Sequence, residues 1–178
     1  MLGSLTLIVG PMYAGKTTKL LDLVKVNKHK SLLVFKHASD TRYSSNCVTS
    51  HDNKKEKCIP INKIANILDN ELLNERQHIF IDEGQFFDDL FENVLKLIKL
   101  GKDIYISGLD GDFKQDPFGN GDILKLIPHA DEFYKLTSKC YYCKNPAPFT
   151  KRLCESKEQV IVGSTSIYQP VCRIHLNA

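Results

Sequence analysis

The 178-residue chain predicts an α/β fold, a mainly parallel sheet with helices on both faces, followed by a small second domain. Three features carry this expectation. Short continuous apolar runs alternate with segments of helical period, the pattern of strands covered on both faces and joined by crossover helices. A glycine-rich turn separates the first run from the first helical segment. Beyond about Thr137 the alternation stops, and cysteine pairs, short β-like runs and turn residues take over. The expected division is an α/β core over 1–136 and an appended domain over 137–178.

Leu5 to Val9 reads as the first strand, ended by Gly10-Pro11. From Lys16 to about Lys28, Leu20, Leu21, Leu23 and Val24 recur near helical period, and Ser31 to Phe35 is a second strand. Lys36 to Lys57 is polar and aperiodic; at about 20 residues it exceeds an ordinary connection and reads as a functional or mobile loop. After Pro60, a helix is expected over Ile61 to Leu73, with Ile64, Ile67, Leu68 and Leu72 on one side. His78 to Glu83 is an apolar run ending in two carboxylates. Phe87, Leu90, Phe91, Val94, Leu95 and Ile98 keep helical spacing, which predicts a helix over Phe86 to Leu100 with Gly101 as its left-handed cap. Asp103 to Ser107 is a strand, glycine-rich Gly108 to Gly121 a loop, Ile123 to Ile127 a short helix and Phe133 to Leu136 a last strand.

Composition excludes several classes. With 42% hydrophobic and 25% charged residues the chain is neither disordered nor fibrous. No apolar run approaches the roughly 18 residues of a membrane span, and MLGSLTLIVG lacks a basic leader or a small-residue cleavage site. A cytoplasmic protein without a membrane partner is expected. The net charge of +3 is a lysine excess, the only arginines being Arg42, Arg76, Arg152 and Arg173, so a nucleic-acid surface is weakly supported.

Gly10-Pro11-Met12-Tyr13-Ala14-Gly15-Lys16-Thr17 fits Gly-x-x-x-x-Gly-Lys-Ser/Thr between a predicted strand and a predicted helix, the context the motif requires. Its glycines let backbone N–H groups curl around phosphate at the positive end of a helix. Lys16 adds a charge at the β/γ-phosphates, and the Thr17 hydroxyl can ligate Mg²⁺. A P-loop protein places a second Mg²⁺ anchor at a neighbouring strand end, where Asp82 and Glu83 lie. Adjacent carboxylates on a strand point to opposite sides, so Asp82 is assigned to the metal and Glu83 to proton abstraction from an attacking hydroxyl. A solvated acidic strand end is the alternative. Arg42 and Arg152 are the arginines placed to clamp phosphate, and Arg42 in its polar loop can neutralise transition-state charge.

The six cysteines are read as thiols, because no secretory signal points to an oxidising compartment. Cys140-x-x-Cys143 and, after 28 residues, Cys172-x-x-His175 form two halves of a tetrahedral clamp that suits a closed, structural Zn²⁺ site. A redox CxxC is the alternative. Cys47, Cys58 and Cys154 are then spare.

Taken in order, GPMYAGKTT, Asp40-Thr41-Arg42-Tyr43, His51-Asp52, IDEGQFF from Ile81, LDGDF and PFG over Leu109 to Gly119, KLT with CYYC over Lys135 to Cys143, TKRL from Thr150 and the final VCRIH resemble the type II thymidine kinases over nearly the whole chain. The resemblance implies a RecA-like P-loop core and a zinc-stapled lasso that closes over the nucleoside. It implies Gly10 to Thr17, Asp40 and Arg42 on ATP, Asp82 toward Mg²⁺, Glu83 as the base for the 5′-hydroxyl, and Gln85 at the nucleotide site. Met12, Phe86, Leu109, Phe113 and Phe118 would form the base pocket. Gln159, Val160, Ile161, Val162 and Gly163 would offer lasso backbone to the thymine edge, with Thr150 and Tyr168 nearby. It further implies a homotetramer inhibited by dTTP. Asp112, Lys114-Gln115-Asp116, Gln159 and His175 depart from the family's usual residues and bear on substrate preference and loop geometry. The expected reaction is ATP- and Mg²⁺-dependent 5′-phosphorylation of thymidine in nucleotide salvage, with deoxyuridine and deoxycytidine as the nearest competing acceptors. An ATP-driven nucleic-acid protein and a non-catalytic nucleotide-binding module are the rivals from other classes.

Overall fold

A computed structural model describes residues 2–40, 46–50, 52, 54–161 and 166–177. Strand β1 (Leu5–Val9) passes through the glycine-rich loop into helix α1 (Lys16–Val26) and returns as β2 (Leu32–His37). A hairpin of β3 (Cys47–Thr49) and β4 (Lys55–Lys57) precedes β5 (Ile59–Ile61) and the short α2 (Ala65–Leu68). A 3₁₀ turn over Glu71–Glu75 leads to β6 (His78–Asp82), and another over Gly84–Phe86 to α3 (Leu90–Lys99). Then come β7 (Asp103–Gly108), α4 (Asp122–Lys125) and β8 (Glu132–Lys135). Six of these strands pair in parallel in the order β5-β2-β6-β7-β1-β8.

The middles of β1, β2, β6 and β7 are apolar and buried, as expected where both faces of a parallel sheet are covered. Leu5, Leu7 and Val9 of β1, Ile79 and Ile81 of β6, and Ile104 and Ile106 of β7 pack with Ile64, Leu90, Val94 and Leu97 on one side. Ile8, Val34 and Phe80 pack with Leu20, Leu21 and Val24 of α1 on the other. Helix α3 ends as the sequence requires: Gly101, at φ 80, donates to Ile98 O, and Lys102 N reaches Leu97 O, which closes a Schellman turn.

Three expectations change. The polar stretch before β5 contains the β3–β4 hairpin, pinned by Val48, which is 1% exposed against the α1 face. Burying that one side chain contributes on the order of 1.5 kcal/mol, and three-residue strands are too short to reveal a period. The helix expected over Ile61 to Leu73 is instead β5, α2 and a 3₁₀ turn. Pro60 fits edge strand β5, and the Asn70 side chain accepts from Leu72 N at 2.9 Å, which restarts the chain as a separate turn. Helix α3 starts at Leu90 rather than Phe86, because the Asp89 carboxylate is turned to the backbone N–H groups of Ile64 and Ala65, at 2.9 and 3.0 Å.

After β8 the chain forms two small antiparallel pairs, β9 (Ser138–Lys139) with β10 (Pro146–Ala147) and β11 (Phe149–Arg152) with β12 (Tyr168–Val171), then α5 (Arg173–Leu176). Cys140, Ala147, Val171 and Cys172 form their buried centre. No helix among the described residues is long and apolar enough to cross a membrane.

Candidate active site

Strand alternation decides which side chains meet. Val34, Phe80 and Tyr105 belong to the cluster on the α1 face, with the rings of Phe80 and Tyr105 stacked 4.4 Å apart. Two residues further along each strand, Lys36, Asp82 and Ser107 therefore emerge on that face at the carboxyl ends of the sheet, beside the loop that follows β1.

There Thr17, in the first turn of α1, donates to Asp82 Oδ2 at 3.2 Å, and the Ser107 hydroxyl donates to Asp82 Oδ1. Asp82 is 5% exposed, and these hydroxyl donors satisfy a carboxylate that burial would otherwise leave without partners. Lys36, 1% exposed, donates to Asp40 O at 2.9 Å, lies 3.7 Å from Asp40 Oδ2 and pairs in register with Asp82. Lys16 donates to Pro11 O at 2.7 Å and so lies folded within its own loop. Burial raises the nearby Cys58 thiol to about 11 against the opposing pull of Lys36, which makes it an inert thiol.

The loop itself is tightly held. A Cβ on Gly10 would come within 2.5 Å of Leu136 O, so only glycine lets the chain pass. Met12 N donates to Thr150 Oγ1 at 3.0 Å, and Ser138 Oγ donates to Tyr13 O at 3.0 Å. Residues of the C-terminal segment thus fasten the loop in two places.

Glu83 follows β6 in the left-handed region, φ 58 and ψ 40, which a side chain rarely adopts. Its Oε2 accepts from Gln85 Nε2 at 2.6 Å, and Gln85 Oε1 accepts from Leu109 N at 2.9 Å. His37 packs edge-on to Phe87 at 4.8 Å, and burial lowers its pKa against the carboxylates of Asp88 and Glu83.

Thr17, Asp40, Asp82 and Glu83 open onto one cavity of about 600 Å³, in the range of small-molecule sites. Its polar end is lined by Tyr13, Gly15, Lys16, Thr17, Asp40, Asp82 and Glu83. Its apolar end is lined by Met12, Phe86, Leu109, Phe113 and Phe118, with Thr150, Gln159, Val160, Ile161 and Tyr168 alongside. Phe86 and Phe118 meet edge to face at 5.9 Å. Gly10, Pro11 and Ala14 belong to the loop but do not line the cavity, and Gln85, buried behind Glu83, does not line it either. Arg42, Val162 and Gly163 lie outside the described residues. Thr18, Ser39, Thr49, Gly108, Gly111 and Asp112 also line the cavity and were not singled out as ligand-binding; Thr18, Gly111 and Asp112 lie within GPMYAGKTT and LDGDF, whereas no local motif marks Ser39, Thr49 and Gly108.

Arg152 is not a phosphate clamp. It is 8% exposed and donates through Nη1 to the carbonyls of Ser156 and Glu158, and through Nη2 to Gln159 O at 2.9 Å and the Tyr168 hydroxyl at 2.5 Å. Its guanidinium also stacks 3.8 Å from the centre of the Phe113 ring. It organises the segment that follows β11.

Cys140, Cys143, Cys172 and His175 converge with their ligand atoms within 4.8 Å of one another, a set that could hold a metal ion. Cys172 Sγ lies 3.2 Å from His175 Nδ1, and Cys143 Sγ lies 3.7 Å from Cys172 Sγ. Burial opposes ionisation of Cys140, yet the backbone N–H groups of Cys172, Cys143 and Tyr142 turned to its sulfur prevail and bring it to about 6. A thiol readied as thiolate among two more thiols and an imidazole is a donor set for a borderline-soft cation.

A parallel sheet, a Gly-x-x-x-x-Gly-Lys-Thr loop between β1 and α1, and an acid pair at the end of β6, two strands from β1, are the marks of a P-loop nucleotide-binding phosphotransferase. The family model described as thymidine kinase matches residues 3–176. The thymidine kinase of Yaba monkey tumor virus (strain VR587) is 40% identical over 174 residues, 97% of this chain and 93% of the relative. That of Oryza sativa subsp. japonica is 38% identical over 180 residues, 97% of this chain and 66% of the relative. That of Vaccinia virus (strain Ankara) is 37% identical over 174 residues, 96% and 95%. The chain belongs to the thymidine kinase family.

Proposed function

We propose that the chain transfers the γ-phosphoryl group of ATP to the 5′-hydroxyl of thymidine, giving dTMP, with Glu83 as the base. Family membership supplies the acceptor. The observation that supports the geometry is the Glu83 carboxylate, bonded by Gln85 and lining the same cavity as the glycine-rich loop and the apolar rings. Gly10 to Thr17 would cradle the phosphates, Lys16 would swing from Pro11 onto the β/γ-phosphates, and Thr17 and Asp82 would hold Mg²⁺. When bound, that ion neutralises charge on the transferring group. Glu83 takes the hydroxyl proton, and Arg42 adds positive charge as it moves. The apolar rings receive the base, and the 159–163 backbone reads its polar edge; a base that leaves those groups unpaired is penalised.

The Cys140, Cys143, Cys172 and His175 set fits Zn²⁺, four donors with no position left open, which is a structural role. In this reading 137–178 is a domain stapled by zinc onto a 1–136 core. Reduced thiols fit a cytoplasmic setting. The homotetramer and the inhibition by dTTP belong to the same reading; sedimentation and a dTTP titration test them. The decisive experiment offers purified protein, ATP and Mg²⁺ a panel of nucleosides. Thymidine-dependent formation of dTMP is expected, and ATP turnover that ignores every nucleoside overturns the proposal.

A further inference from the structure

Asp112 is 7% exposed, and its carboxylate faces two ways. Oδ1 accepts from the backbone N–H groups of Lys114 and Asp116, at 2.7 and 3.0 Å, which fixes the turn carrying Phe113. Oδ2 accepts from Gln159 Nε2 at 3.0 Å, and the same amide donates its other hydrogen to Pro117 O at 2.9 Å. Gln159 is therefore bonded to both ends of the turn that runs from Phe113 to Phe118. Its own carbonyl is held by Arg152, whose guanidinium lies on the Phe113 ring, so backbone and side chain are set together. Asp112, Phe113 and Phe118 on one segment and Gln159, Val160 and Ile161 on the other line the same cavity. Between these two walls, a single side-chain amide satisfies both donors on a charged and a neutral acceptor, a strong and directional bridge.

We propose that Gln159 and Asp112 form a latch that holds the C-terminal segment closed over the nucleoside, making Gln159 a positioning residue for nucleoside affinity rather than for phosphoryl transfer. The inference rests on the reading that the apolar end of the cavity receives the nucleoside base. Opening the latch loosens that end first, because among the described residues Lys16 bonds to Pro11 and Thr17 to Asp82, whereas the bridge runs from Gln159 to Asp112 and Pro117. Gln159→Leu removes the donor. Gln159→Glu goes further and sets a second carboxylate against Asp112 and the Pro117 carbonyl. Asp112→Asn added to Gln159→Glu restores a donor facing an acceptor while leaving an oxygen for Lys114 and Asp116.

Steady-state kinetics with thymidine and ATP varied in turn tests this. For Gln159→Leu the thymidine KM is expected to rise roughly 5- to 10-fold, the scale of one net intramolecular hydrogen bond, with kcat within about twofold and the ATP KM unmoved. Gln159→Glu is expected to exceed that rise, and the double variant to recover to within about threefold of the parent. Protease cleavage within 153–161 in the presence of thymidine should be faster in Gln159→Leu than in the parent, a readout independent of turnover. An unmoved thymidine KM, a parallel rise in ATP KM, equal cleavage rates or no recovery in the double variant overturns the latch. A parent that fails to phosphorylate thymidine in the same assay overturns the nucleoside assignment instead.

Discussion

Gln85 stands between Glu83 and the backbone: its Oε1 accepts from Leu109 N at 2.9 Å, and its Nε2 donates to Glu83 Oε2 at 2.6 Å. The first bond fixes which way the amide faces, so the second can only be a donation, and it braces a carboxylate that lines the cavity. Glu83→Gln is expected to lose about 10²-fold in kcat, the scale of a general base, while ATP still binds. Gln85→Leu leaves the carboxylate in place without its brace, so an intermediate loss of about 10-fold in kcat is expected, with the ATP KM unchanged. Rapid-quench measurement of the transfer step separates the two. An undiminished rate in Gln85→Leu would detach this bridge from the reaction.

The backbone of Glu83, at φ 58, opposes any residue that carries a Cβ. On the proposed role of Glu83 as the base, a glutamate stands where glycine would be more comfortable. Glu83→Gly is accordingly expected to be more stable than Glu83→Ala by about 1 kcal/mol, or roughly 2–4 °C in melting temperature for a chain of this size, while both lose transfer. Differential scanning calorimetry on the pair gives the answer, and equal melting points would show that the local strain is absorbed elsewhere.

Metal removal should reach the phosphate loop as well as the nucleoside end. The Cys140 cluster lies within the segment that supplies Ser138 and Thr150, whose hydroxyls hold Tyr13 O and Met12 N at 3.0 Å each. A structural metal contributes folding free energy directly, so stripping it loosens both anchors. Chelation is expected to lower the melting temperature and raise the thymidine KM, with a smaller rise for ATP. Thr150→Val, which deletes one anchor and leaves the cluster intact, should reproduce part of the ATP effect alone. Elemental analysis finding no metal in reduced, purified protein would remove the premise.

How much of this was legible in the sequence depends on distance along the chain. Strand β1 has the predicted bounds, and the placing of the glycine-rich loop between strand and helix and the convergence of the Cys/His set could be read because each is a local pattern with fixed spacing. Asp82 and Glu83 were legible because a strand end is marked by its own apolar run. The β3–β4 hairpin rests on one inward residue, Val48, and gives no periodic signal. The Ile61 to Leu73 helix failed because helical spacing continued through a strand and two separate turns, and the Asp89 carboxylate that organises that region lies 24 and 25 residues away from its partners. Lys36 and Arg152 are charged residues that composition places at the surface, yet both are buried by partners no local window contains.

His78, 6% exposed and lying on the α1 side of the sheet, offers a pH test away from the cavity. Burial is the main cause that lowers its pKa from 6.5; Lys30 adds to it and Asp103, with Oδ2 at 3.6 Å from Nδ1, opposes it. The unfolded chain therefore takes up this proton first as pH falls. The contribution of neutral His78 is fully present above 6.5 and is lost as pH drops from 6.5 toward the lowered folded value. His37 shifts in the same direction and shares the window, so one substitution removes only part of the slope. His78→Phe keeps an aromatic ring beside Tyr105, whose ring centre lies 6.1 Å away, and cannot titrate. Its melting temperature should fall less steeply between about pH 7 and pH 5.5 than that of the parent, the two curves converging toward the acid end. Parallel curves would mean that His78 is protonated as readily in the folded chain as in the unfolded one, and that burial among these groups does not exclude the charge.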